Sequence, residues 1–174
     1  DEEGIGEICF KGPNVMLGYY NNQEATDEVL KDGWFHTGDL GRVDTDSFIY
    51  ITGRKKNVII TENGKNVFPE ELEYELSHIP YIAESMVWGD NEGEGVNSTT
   101  IVATVTLDDD EVKEVLGEEY TDEQAQNLVW GEIDKINERL PLFKKIKKLN
   151  IRKTDFNKTT GMKIKRFVES NKDA

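Results

Sequence analysis

The chain predicts an α+β fold, a small domain with a roughly three-stranded sheet flanked by helices, preceded by a β-rich segment. Three observations carry this. Tyr81 to Trp88 and Thr99 to Leu107 are rich in β-branched and apolar residues, the composition of sheet strands. Val129, Ile133, Ile136 and Leu140 recur at spacings of four, three and four, which lines one face of a helix. Lys147 to Lys153 alternates as a third strand, with Leu149 and Ile151 turned inward. Strands and helices with one apolar face each must bury it against another layer.

The elements follow in order. Glu7 to Lys11 reads as a short strand, and Asn22-Gln23-Glu24-Ala25-Thr26 leads into a helical turn ending near Leu30. Asp32-Gly33 turns the chain, and Gly33 to Gly41 reads as turns between short apolar runs, with Asp39 on a Gly-flanked turn. Arg42-Val43-Asp44 and Phe48-Ile49-Tyr50-Ile51 form a hairpin around Thr45-Asp46-Ser47. Val58-Ile59-Ile60-Thr61 is a strand and Glu62-Asn63-Gly64-Lys65 a hairpin loop. Pro69-Glu70-Glu71-Leu72-Glu73 opens a helix, because proline lacks an N–H that the first turn does not need and acids there complement the helix dipole. Gly89 to Ser98 is a loop of Gly, Asn and Glu, Thr121-Asp122-Glu123-Gln124 starts the last helix, and Pro141 stops it. Asp155 to Lys163 is a turn region. Residues 1–55 thus form a β-rich piece and 56–174 a second unit, without internal repeats or low-complexity tracts.

At 36% hydrophobic and 32% charged residues, the composition is that of a soluble globular piece. No apolar run approaches the ~20 residues of a membrane helix, and no signal-peptide pattern is present, so the cytoplasm is the expected compartment. The single cysteine, Cys9 in Ile8-Cys9-Phe10, is expected to be a buried structural thiol. His36 and His78 stand far apart in sequence without Cys partners, so no metal site is expected. Residues 1–143 carry 10 basic against 32 acidic side chains, whereas 144–174 carry 11 against 3. Aromatic residues do not interleave regularly with that basic tail, which argues against nucleic acid. A polyphosphate ligand, or peripheral contact with an anionic membrane surface, fits such a tail.

Gly33-Trp34-Phe35-His36-Thr37-Gly38-Asp39-Leu40-Gly41 and Gly53-Arg54-Lys55-Lys56-Asn57 supply what a nucleotide needs. A carboxylate accepts two hydrogen bonds from ribose hydroxyls, and a guanidinium donates several to phosphate. Trp34 and Tyr19 are read as packing aromatics. These stretches, with Gly6-Glu7-Ile8, Gly12-Pro13, Met16-Leu17-Gly18-Tyr19-Tyr20, Gly64-Lys65-Asn66-Val67-Phe68-Pro69-Glu70-Glu71-Leu72-Glu73 and Lys158-Thr159-Thr160-Gly161-Met162-Lys163-Ile164-Lys165-Arg166, resemble the adenylate-forming (AMP-binding) superfamily. The wording is most similar to bacterial long-chain fatty acid CoA ligases, or acyl-CoA synthetases.

The resemblance implies that residues 1–55 end a large N-terminal domain and that 56–174 are its mobile C-terminal partner. The Ser/Thr/Gly-rich phosphate loop of the family is absent from the sequence, so the chain alone is expected to be inactive. Asp39 would hold the ribose, and Arg54 would contact ribose or phosphate. Lys56 stands at the family's hinge position. Lys163 would stabilise the charge that builds as a carboxylate attacks the α-phosphate of ATP. The family usually has Gly before this lysine where Met162 stands here, which leaves Lys165 as an alternative assignment. Gly64 and Lys65 would meet CoA in a second pose. ATP, Mg and CoA are the implied cofactors, and a fatty acid the implied substrate. Two other readings stand beside this: a carrier-protein phosphopantetheine as acceptor, and a non-catalytic docking module acting through the basic tail.

Overall fold

The computed structural model describes residues 4–91, 99–168 and 171–172. The chain divides into two compact units, Asp1–Val58 and Ile59–Ala174.

The first unit is a four-stranded antiparallel sheet. Its strands are β1 (Gly6–Phe10), β2 (Leu30–Lys31), β3 (Trp34–Val43) and β4 (Ile49–Arg54). Strand β3 is central: β1 runs along one edge, while β2 and β4 share the other, pairing with its first and last residues respectively. Helix α1 (Gln23–Val29) is capped by Asn22, whose side chain accepts from the Ala25 N–H at 3.0 Å and so satisfies a donor that the first turn leaves free. The expected hairpin around Thr45-Asp46-Ser47 is present, with Asp44 Oδ1 accepting from the N–H groups of both Asp46 and Phe48 at 2.9 Å.

Two expectations are corrected here. The segment read as turns is one continuous strand of ten residues, because pairing on both edges overrides the turn preference of its glycines. Trp34 and Tyr19, read as packing aromatics, are 45% and 47% exposed within this chain.

The second unit is built on a three-stranded sheet ordered β7-β8-β9, formed by β7 (Ile82–Asp90), β8 (Thr100–Leu107) and β9 (Lys148–Arg152). β7 and β8 pair antiparallel, β8 and β9 parallel. Central β8 is buried from Ile101 to Thr106, as expected of a strand covered on both faces. Before the sheet come a short ladder, β5 (Ile59–Ile60) with β6 (Asn66–Val67), and helix α2 (Pro69–Leu76). Between β8 and β9 lie α3 (Asp109–Leu116) and α4 (Asp122–Arg139). The stripe Val129, Ile133 and Ile136 is buried in the core with Leu72, Leu76, Ile101 and Val105, and Leu140 packs against it. Thr121 and Gln124 form a reciprocal capping box at the start of α4. The sheet-and-helix architecture is the one the sequence predicts. Gly89 and Asp90, read as loop, end β7 instead; Asn91 follows outside any strand, and residues 92–98 of that loop lie outside the described residues.

Candidate functional site

On the first unit, cross-strand register sets Asp39 opposite Arg54. Arg54 Nε lies 2.9 Å from Asp39 Oδ1, and Nη1 reaches the Thr37 carbonyl at 3.3 Å. The second Asp39 carboxylate oxygen makes no hydrogen bond among the described residues. Gly38 takes φ of +73° inside β3, a value that suits glycine. Its N–H donates to Glu7 Oε1 at 3.2 Å, where the β1–β3 register shifts. Asp39 N–H donates to Thr37 Oγ1 at 3.0 Å, and that hydroxyl donates to the Ile8 carbonyl at 2.8 Å. The carboxylate therefore sits beside a bulge braced by Glu7 and Thr37. Half-exposed and with one oxygen open, it suits a ribose diol, and the exposed guanidinium beside it suits phosphate.

Glu7 has a role that the sequence reading missed. Burial alone would raise its pKa, but hydrogen bonds to His36 and Lys55, the Lys55 charge and the Gly38 N–H outweigh this and hold it below the usual carboxylate value. Its only signal in the sequence is its place in the Gly6-Glu7-Ile8 block. Cys9, expected to be buried, is half-buried and lies 3.4 Å from His36 Nδ1. The histidine that seemed to lack a Cys partner therefore has one. Lys56 is exposed in a 3-10 turn, Lys55–Asn57.

On the second unit, Thr61 and Lys65 close the β5–β6 turn through Thr61 N–H to Lys65 O at 3.0 Å, with Gly64 at φ +69° and Lys65 exposed. The turn around Lys163 is equally tight. Thr159 N–H donates to Lys163 O at 2.8 Å, Met162 N–H to Thr159 O at 3.0 Å, and Lys163 N–H to Thr159 Oγ1 at 3.2 Å. Met162, where the sequence departs from glycine, takes φ of 60°, the left-handed region that a side chain disfavours by about 1 kcal/mol. Its side chain is 71% exposed and has little packing to lose. Met162→Gly should therefore raise the chain's unfolding free energy by about 0.5–1 kcal/mol in a urea titration; a decrease would contradict this reading of the turn.

The neighbours of Lys163 are fastened down. Lys158 pairs with Glu84 at 2.7 Å, and Arg166 pairs with Glu73 of α2 and donates to the Val87 carbonyl of β7 at 3.2 Å. Asn171, fully buried, accepts from Asn157 N–H at 2.7 Å and donates to the carbonyls of Asn157 and Lys165, both at 3.0 Å. It clamps both sides of the lysine turn, and a lone asparagine near the C-terminus gives no sequence signal of this. Among the described residues, the ammonium groups of Lys163 and Lys165 make no ion pair or hydrogen bond, and both side chains are exposed.

The model of the AMP-binding enzyme C-terminal domain matches residues 56–168. The long-chain-fatty-acid–CoA ligase FadD15 of Mycobacterium tuberculosis is 36% identical over 185 residues, covering 97% of this chain and 30% of that protein. Human long-chain-fatty-acid–CoA ligase ACSBG1 is 41% identical over 130 residues, covering 74% of this chain and 16% of that protein. The chain thus spans less than a third of either relative's length. Among solved structures, o-succinylbenzoate CoA synthetase of Bacillus subtilis with its acyl-adenylate superposes with a TM-score of 0.76 at 30% identity, covering 98% of this chain and 31% of that one. The same enzyme with ATP and magnesium gives a TM-score of 0.72 at 29% identity, covering 97% and 30%.

Proposed function

Because this chain belongs to the adenylate-forming enzymes, as an AMP-binding enzyme C-terminal domain, we propose that it serves an ATP-dependent ligase that activates a long-chain fatty acid and passes it to CoA. The proposed reaction has two steps. The fatty acid carboxylate attacks the α-phosphorus of ATP, forming an acyl-adenylate as pyrophosphate leaves. The CoA thiolate then attacks the acyl carbonyl, and AMP leaves as the thioester forms.

Asp39 accepts hydrogen bonds from the ribose hydroxyls, and Arg54 holds Asp39 in place while offering its remaining donors to ribose or phosphate. Lys163 brings an ammonium to the α-phosphate, where negative charge accumulates in the first step. Lys56 is the hinge about which the second unit changes pose, and the Gly64-Lys65 turn, whose glycine permits close backbone approach, meets a CoA phosphate in the second step. A magnesium ion would neutralise charge on the ATP phosphates. Among the described residues, the one cluster that could hold a metal is Glu7, Cys9 and His36, and its sulfur and nitrogen ligands do not suit that ion. No step is assigned to it.

The observation that carries this reading is the contrast within the basic segment. Lys158 and Arg166 are spent on Glu84 and Glu73, while among the described residues the ammonium groups of Lys163 and Lys165 make no ion pair, that of Lys163 at a braced turn. A docking role for the basic tail is weaker for the same reason, since part of its charge is already neutralised internally. The test is pyrophosphate release by the complete protein with ATP and a panel of fatty acids. Release that depends on long acyl chains, followed by transfer to CoA, supports the reading. Transfer only to a phosphopantetheinylated carrier protein would replace CoA as the acceptor, and absence of acid-dependent release would refute the ligase assignment.

A further inference from the structure

The first unit brings together three side chains whose chemistry the proposed ligation leaves unused. Strand pairing sets Cys9 opposite His36, with Cys9 Sγ 3.4 Å from His36 Nδ1. The same nitrogen lies 3.3 Å from Glu7 Oε2, and the three ligating atoms all fall within 4.8 Å of one another. A tetrahedral zinc ion, with sulfur at about 2.3 Å and nitrogen or oxygen at about 2.0–2.2 Å, separates its ligands by roughly 3.3–3.6 Å. Two edges of that polyhedron are therefore already in place.

Thiolate, imidazole and carboxylate form a borderline-soft donor set, which favours zinc and its spectroscopic substitute cobalt. His36 and Glu7 side chains are 33% and 20% exposed, so an ion has a path in and a fourth position for water. One resident cation competes. Lys55 Nζ lies 3.2 Å from Glu7 Oε2, but its side chain is 63% exposed and can leave for solvent.

We propose that Glu7, Cys9 and His36 form a three-ligand site for a thiophilic divalent cation of the zinc class. Binding converts the Cys9 thiol to thiolate and releases its proton to solvent, so affinity rises with pH. The site is independent of the ligase assignment and is tested with the metal alone on this chain.

Titration with Co²⁺ should give one equivalent bound, with a sulfur-to-cobalt charge-transfer band in the near ultraviolet that Zn²⁺ displaces. Cys9 is the only cysteine, so the band reports this residue. His36→Ala and Glu7→Gln should each weaken binding by at least tenfold. Lys55→Ala should tighten it severalfold by removing the competing ammonium, a gain that a misfolded variant cannot produce. No band, one metal per two chains, a band of unchanged affinity in His36→Ala and Glu7→Gln, or weaker binding in Lys55→Ala would each overturn the proposal.

Discussion

Replacing Arg166 by methionine should cost the chain about 3 kcal/mol of unfolding free energy at pH 7.5, and the deficit should shrink toward pH 5. The guanidinium joins three elements, pairing with Glu73 on α2 and donating to the Val87 carbonyl of β7 from the segment that carries Lys163. The Glu73 and Arg166 side chains are 17% and 21% exposed. Removing one member of such a pair leaves the other charge poorly solvated, a loss of about 3–5 kcal/mol when burial is complete. Glu73 keeps its bond from the Val87 N–H at 2.7 Å, which places the expectation near the lower end.

The pH dependence follows from the carboxyl itself. Burial pushes the Glu73 pKa above its ordinary value even with Arg166 and the Val87 N–H working against it, and losing the guanidinium pushes it further. A raised carboxyl pKa means that the folded state holds a proton the unfolded chain releases, so stability falls as pH rises between the two pKa values. The variant should therefore recover on acidification relative to the parent. Urea titrations at pH 5 and 7.5 check this; a pH-independent deficit, or one below about 1 kcal/mol, would show that the pair contributes little.

Much of this architecture was legible in the sequence because it depends on local pattern. The Val129, Ile133, Ile136 stripe, the Thr121-Gln124 cap and the Pro141 stop define α4 without tertiary information. Helix α3 was not anticipated. It carries Asp109, Asp110 and Glu111 in its first turn and only Val112 is buried, so its apolar face is too narrow to register as a period. The signals were chemical instead: Asp108 caps the Glu111 N–H, and Lys113 pairs with Asp109 one turn earlier.

Pairing across distance was the other blind spot. Gly38 and Gly41 suggested turns around Asp39, yet β1 and β4 hold the segment extended from both edges. Cys9 and His36 are 27 residues apart, and only the β1–β3 register reveals them as neighbours. The Asp39 and Arg54 pair was singled out from residue chemistry, and the structure adds that they face each other across β3 and β4. The glycine missing before Lys163 was visible in the sequence, and its physical meaning is the positive φ that Met162 has to adopt.

Lys163→Ala in the complete protein should lower acid-dependent pyrophosphate release by on the order of 10²–10³-fold, the effect of removing one preorganised charge from a developing anion. Lys165→Ala should leave it near the parental rate. Both ammoniums are exposed, so the comparison separates chemistry from general surface charge. Thr159 holds the Lys163 backbone through two hydrogen bonds, whereas the backbone of Lys165 is fixed by Asn157 and Asn171. Lys163→Ala removes the side chain beyond Cβ, ammonium included, and leaves the backbone hydrogen bonds of the turn in place. The second step breaks the acyl C–O bond in the other pose about Lys56, where the Gly64-Lys65 turn rather than Lys163 meets the ligand, and so it should survive the substitution. The decisive measurement is the rate of both half-reactions in Lys163→Ala, with acyl-adenylate supplied preformed for the second. Loss of adenylation with thioester formation from acyl-adenylate retained is the predicted result; equal loss of both, or unchanged adenylation, would contradict the role assigned to this lysine.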